Sequence, residues 1–195
     1  MFNNALKLLK DEVMQRFFLP FFLTGTMIMV FVMGKTGAPL KTTATPNGIL
    51  NLEFAYNKVK VQEVVDAWTF SAIHSTDNIR VAQVNTWWDF IFLFFYAPLL
   101  FLLLKKISAR FSQTSHLHKI ARLLTIPALL AGALDIIENF GMLQSLGGNI
   151  STGIALITFI PSLIKWLLVV CIIAFLLYAI PTAFFTKKDS VQIRV

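Results

Sequence analysis

The chain has one cysteine, Cys171, in 195 residues. A lone thiol excludes an internal disulfide, a cysteine-based zinc site and a dithiol redox pair. Histidine is nearly as scarce. His74, His116 and His118 all fall outside the apolar runs, so nothing supports an intramembrane haem held by paired imidazoles. There is no His-Glu-x-x-His sequence, no Ser–His or Cys–His catalytic pairing and no carboxylate-rich metal motif. No metal and no cofactor is expected. Charge is the third shortage: 14% of residues are charged against 56% hydrophobic. A soluble domain of this length exposes too much surface to leave so little of it charged. The expectation is an integral membrane protein solvated mostly by lipid.

What charge there is sums to +7. It sits beside apolar segments, where it orients a membrane protein, and so argues against nucleic acid as a partner. Four segments are long enough to cross a hydrocarbon core of ~30 Å. They are residues 17–34, 85–104, 123–143 and 154–180. The fold expected is all-α: a bundle of four transmembrane helices with a structured external loop. The first span follows a long leader carrying Asp11 and Glu12, and its small-residue exit runs into Pro39, so it is read as an uncleaved span.

Basic residues cluster in three places. They are the N-terminal segment 1–16 (Lys7, Lys10, Arg16), the connection 105–122 (Lys105, Lys106, Arg110, Lys119, Arg122) and the tail 181–195 (Lys187, Lys188, Arg194). The turn 144–153 carries no charge. By the positive-inside rule the three basic segments are cytoplasmic and the loop 35–84 is outside. A bacterial cytoplasmic membrane is the expected location, with both termini inside. Membrane lipids are then partners, and oligomerisation stays open.

The external loop has two readable parts. In Ile49–Tyr56, Leu50, Leu52, Phe54 and Tyr56 alternate with other residues, which predicts a short strand or an extended segment. From Val59 to about His74, Val61, Val64, Val65, Trp68 and Ala72 recur at helical spacing, with Lys60, Glu63 and Asp66 elsewhere on the wheel. That is an amphipathic helix over the mouth of the bundle, serving as packing, a lid or a partner surface.

Four ionisable residues lie within the spans: Asp89, Asp135, Glu138 and Lys165. Such groups cost several kcal/mol and face the bundle interior, paired. At 1.5 Å rise per residue, Asp89 lies ~6 Å below the outer end of its span and Lys165 roughly 16 Å from the outer face. On the same scale Asp135 and Glu138 lie ~18 Å and ~23 Å from the inner face. All four therefore converge in the outer half of the bilayer. Asp135, Glu138 and Asn139 share a face by i, i+3, i+4 spacing, as do Thr158, Ser162 and Lys165. Asp89 and Tyr96 share another. Trp88 and Trp166 border the region. Three carboxyls around one ammonium cannot all ionise in low dielectric, which predicts one firm ion pair plus a shared proton or bound cation.

Several short motifs carry a resemblance. They are Gly48-Ile49-Leu50-Asn51-Leu52-Glu53-Phe54, Trp88-Asp89-Phe90, Leu134-Asp135-Ile136-Ile137-Glu138-Asn139 and Lys165-Trp166. Through them the chain resembles a group of small bacterial four-span membrane proteins of uncharacterised function. The resemblance implies the four-helix fold with an external loop, and no reaction.

Four functions compete. The first is a protein that binds or handles a lipid or small ligand through Asp89, Tyr96, Asp135, Glu138, Asn139, Thr158, Ser162, Lys165, Trp88 and Trp166. Next is a lipid-modifying enzyme with Glu138 or Asp135 as general base and Lys165 stabilising an oxyanion or phosphate. A proton- or cation-coupled transporter is third, although no internal repeat is visible. In the last, a scaffold or assembly factor, the charges only fix helix register.

Overall fold

A computed structural model describes residues 2–70 and 77–185, with side chains from Arg16 onward. His74 and Ala72, at the end of the predicted loop helix, and the basic tail residues Lys187, Lys188 and Arg194 lie outside the described residues. All regular elements among the described residues are helical. They are α1 (Phe2–Thr36), a 3-10 turn (Ala38–Leu40), α2 (Leu50–Glu53), α3 (Lys58–Phe70), α4 (Asn78–Ser108), α5 (His116–Leu146) and α6 (Thr152–Phe185).

Four helices are long and apolar enough to cross a membrane: α1 from Arg16, α4, α5 and α6. Each outruns its predicted apolar span, because helical hydrogen bonding continues into polar flanks until a cap stops it. At the start of α4 the Asp77 carboxylate accepts from Arg80 N at 3.0 Å, and at the start of α5 Ser115 Oγ accepts from Leu117 N at 3.2 Å. The chain leaves α5 through Gly148 at φ +91°, a left-handed turn that suits glycine. Ser151 Oγ then accepts from Ile154 N at 3.2 Å to open α6. Proline interrupts none of the long helices, since Pro20, Pro98, Pro127, Pro161 and Pro181 all lie within them.

Within the bundle, α5 packs extensively on both α4 and α6, whereas α4 and α6 meet only lightly. On its outer side α4 carries α1. Of the described α1 side chains only Met29 is buried, so this helix leaves most of its apolar surface exposed. Its contact with α4 is aromatic, with Phe21 and Phe22 against Phe94 and Phe95. Asn85 Nδ2 secures its C-terminal end by donating to Met33 O at 3.1 Å and Thr36 Oγ1 at 2.8 Å.

The 3-10 turn, α2 and α3 form a cap over one end of the bundle. Trp68 anchors it. The indole is fully buried, and its Nε1 donates to Leu40 O and Thr45 Oγ1, both at 3.0 Å. Leu52, Ala55, Val61 and Val64 of the cap join Ala82, Met142, Leu146 and Ala155 of the bundle in one apolar core. The polar face of α3 stays outside. Its Lys60–Glu63 pair, 2.7 Å apart, raises the Lys60 ammonium above its ordinary 10.5, but on so exposed a surface this contributes little to stability. That small contribution is present at neutral pH and fades as pH rises through the raised value.

Residues 49–56 differ from expectation. Leu50–Glu53 form a helical turn that Phe54 closes, not a strand or extended segment. Glu53 N bonds to Ile49 O at 3.2 Å and Phe54 N to Leu50 O at 3.1 Å. An extended segment here would have no neighbouring strand to satisfy its backbone groups, and a turn satisfies them locally. The alternation misled because Leu52 and Ala55 face the core while Phe54 and Tyr56 are exposed.

A second apolar core fills the end of the bundle away from the cap. It includes Tyr96, Leu100, Leu104, Ala128, Ile172 and Leu176. Between the two cores, on every one of α4, α5 and α6, lies a polar layer.

Candidate functional site: a buried charged layer

The layer begins with Lys165 of α6. Its Nζ lies 2.7 Å from Asp135 Oδ1 and 2.8 Å from Glu138 Oε2, both on α5. One helical turn separates those two carboxylates, which is why a single ammonium reaches both. Asp135 is doubly held, since its Oδ2 accepts from Tyr96 OH of α4 at 2.8 Å. Asp89, one turn deeper in the sequence of α4 than Asn85, joins through a different partner: Asn139 Nδ2 donates to its Oδ2 at 2.8 Å. Asp135, Glu138 and Asn139 are at most 2% exposed, Lys165 7% and Asp89 8%.

A fifth ionisable group completes the layer. Glu53, at the end of α2 in the cap, places Oε2 3.7 Å from Lys165 Nζ and accepts from Trp166 Nε1 at 3.0 Å. It lies in the loop, outside the four spans whose charges the sequence brings together. A lone acid in the most apolar stretch of the loop, between Leu52 and Phe54, was the signal. With Glu53 included, four carboxyls surround one ammonium. An arrangement so short of positive charge retains protons or takes up a cationic or hydrogen-bond-donating group.

Two acceptor oxygens of the layer stand outside these contacts. Glu138 Oε1 and Asn139 Oδ1 are buried and accept no hydrogen bond among the described residues. Burial of an acceptor without a donor costs about 1–3 kcal/mol.

Not every residue singled out from the sequence reaches the charges. Thr158 and Ser162 are buried on the face of α6 that carries Lys165, but their hydroxyls bond back to their own helix. Thr158 Oγ1 donates to Ile154 O at 3.3 Å and Ser162 Oγ to Thr158 O at 2.7 Å. Trp88 is 37% exposed, whereas Trp166 enters the layer twice, through its indole N–H to Glu53 and through its ring, whose centre lies 5.6 Å from Lys165 Nζ. Among the described residues, no group of three or more His, Cys, Asp and Glu side chains has the geometry to hold a metal ion.

The layer depends on close approach of α5 and α6. A Cβ added at Gly141 would collide with Thr158 Oγ1 and stand 3.2 Å from Thr158 N. Alanine would gain ~1 kcal/mol in helix propensity, but backbone cannot yield as a side-chain tip can. Gly141→Ala is therefore expected to lose about 1–3 kcal/mol net through overpacking, read by thermal unfolding in detergent. Thr158→Ala in the same chain should recover only part of that loss, because the backbone contact persists. A Gly141→Ala variant as stable as the parent would show that the helices separate freely here.

An open cleft of about 780 Å³ lies on the cap, lined by Thr45, Asn51, Phe54, Lys60 and Glu63 among others, and includes no member of the charged layer. Comparison with protein families, with curated proteins and with solved structures returned no match to this chain, which leaves the chemistry of the layer as the guide to its use.

Proposed function

We propose that this multi-pass protein binds a lipid or small ligand at the charged layer, with the cap as its cover. The observation that carries the reading is the pair of donorless acceptors, Glu138 Oε1 and Asn139 Oδ1, inside a layer already short of positive charge. Helix register alone would be served by the Lys165–Asp135 pair with Tyr96. The additional carboxyls and the amide are surplus to that task, and a ligand hydroxyl or amino group would satisfy them. In the orientation favoured by Lys105, Lys106, Arg110, Lys119 and Arg122, the cap lies outside a bacterial cytoplasmic membrane and the layer in its outer half. Both termini are then cytoplasmic. A lipid-modifying reaction, with Glu138 or Asp135 as base beside Lys165, would start from the same opened site.

Native mass spectrometry of the purified protein tests this. The parent should carry a specifically retained small molecule or lipid, and the monodisperse fraction of Lys165→Met should retain it at less than about a tenth of the parent occupancy, equivalent to ~1.4 kcal/mol or more. Equal occupancy in the two would sink the binding role of Lys165.

A scaffold reading has its own support in the closure of the layer, whose ionisable side chains are all under a tenth exposed. In that case cap substitutions would abolish a partner contact while Lys165→Met left it intact.

A further inference from the structure

Glu53 is the one carboxylate of the layer that does not come from a spanning helix. It also makes the loosest ionic contact. Lys165 Nζ stands 2.7 Å and 2.8 Å from Asp135 and Glu138 but 3.7 Å from Glu53. What fixes Glu53 is the N–H of Trp166 at 3.0 Å. Asp135 is immobilised between Lys165 and Tyr96, and Glu138 is fully buried on α5. Glu53 instead rides on a four-residue helix of the cap, which meets α3, α5 and α6 and is seated by the buried Leu52.

We propose that Glu53 is an internal placeholder in an anion subsite formed by the Lys165 ammonium and the Trp166 indole N–H. On this view the carboxylate or phosphate head of an amphiphile takes both contacts when α2 lifts. The inference rests on the ligand-binding reading above and names the ligand's class. Adding an anion to a layer rich in carboxyls would be prohibitive. Exchanging Glu53 for a carboxylate or a singly protonated phosphate head leaves the charge of the layer unchanged and avoids that penalty.

The surroundings suit an amphiphile. Trp166 is 38% exposed, and Leu163, Leu167 and Val170 beside it on α6 are 43%, 59% and 58% exposed. Their i−3, i+1 and i+4 spacing from Trp166 makes one apolar stripe leading from the subsite. An acyl chain can lie along that stripe while its head reaches Lys165.

The test is binding of dodecyl phosphate and dodecanoate to the full chain in nanodiscs, with inorganic phosphate and acetate as competitors. Glu53→Gln removes the competing charge but keeps an acceptor for Trp166, and should tighten dodecyl phosphate binding by about tenfold or more. Lys165→Met should abolish that gain. Poor competition by inorganic phosphate supports the amphiphile, and competition equal to that of dodecyl phosphate overturns it in favour of a free anion. If parent binding requires Lys165 but Glu53→Gln leaves it unchanged or weaker, the placeholder role fails and the ligand reading survives. If no form shows Lys165-dependent binding, both fail. Should Glu53→Gln not fold, hydrogen exchange of the parent decides: dodecyl phosphate should speed amide exchange in α2, and unchanged exchange in α2 with the probe bound overturns the inference.

Discussion

Replacing Lys165 with methionine is expected to lower the unfolding free energy by about 3–5 kcal/mol, the loss typical of removing one partner from a buried ion pair. Methionine fills much of the space of the lysine stem, so the effect is electrostatic more than steric. Asp135 Oδ1 and Glu138 Oε2 lose the ammonium that lies within 2.8 Å of both. Tyr96 still donates to Asp135 but supplies no charge. The loss should reverse when the two carboxylates closest to the ammonium and the Tyr96 hydroxyl are made apolar with it, Glu53 keeping Trp166 and Asp89 keeping Asn139. A chain carrying Lys165→Met, Asp135→Leu, Glu138→Met and Tyr96→Phe is expected to return to the parent's stability or exceed it, because replacing a buried ionic group with well-packed apolar residues is often neutral or favourable. Urea or thermal unfolding in a fixed detergent gives both values. A stable apolar chain that no longer retains ligand would show that the charges are kept for binding. If Lys165→Met alone unfolds like the parent, the carboxyls do not depend on the ammonium, and the description of the layer as one electrostatic unit is wrong.

The parts of this layer that were legible in the sequence are those governed by helical periodicity. Asp135, Glu138 and Asn139 share a face because 3.6 residues make a turn, and Lys165 meets them because rise per residue fixes depth. Other parts follow different physics. Trp88 and Asp89 are neighbours in sequence, so on a helix they point about 100° apart, and it is Asp89 that meets Asn139 of α5. Thr158 and Ser162 lie on the expected face, yet a short hydroxyl finds the carbonyl four residues back before it finds another helix. Glu53 was illegible for a different reason. Its place depends on the path of a loop, and its partner Trp166 is 113 residues away in sequence. No local period encodes such a contact. The fold class followed from composition, since four long apolar helices leave few alternatives, whereas eight residues from Ile49 to Tyr56 are too few to separate strand from turn.

Trp68→Ala is expected to cost about 3–5 kcal/mol, as for other fully buried aromatic residues, but the loss should be confined to the cap. The indole fills the space between the 3-10 turn, α2 and α3, and its N–H ties α3 to Leu40 O and Thr45 Oγ1. Truncation opens a cavity in that core and deletes both bonds. Thr45 Oγ1 still donates to Leu40 O at 2.8 Å, so the turn keeps one internal tie. The spanning helices keep their own contacts through α5. Amide exchange should therefore quicken across residues 38–70 and stay slow in α5 and α6, the pattern of sub-global opening. Trp68→Phe preserves most of the volume and loses only the hydrogen bonds, at about 0.5–1.5 kcal/mol each. The sharper consequence lies at Glu53. Because α2 shares its core with Trp68 through Leu52, loosening the cap should release Glu53 from Trp166 and accelerate ligand entry to Lys165 without altering Asp135 or Glu138. Faster association of dodecyl phosphate with Trp68→Ala than with the parent would tie the cap to access. An unchanged rate, with the cap demonstrably loosened, would mean that ligands reach the layer by another route, and the cap would then be no cover at all.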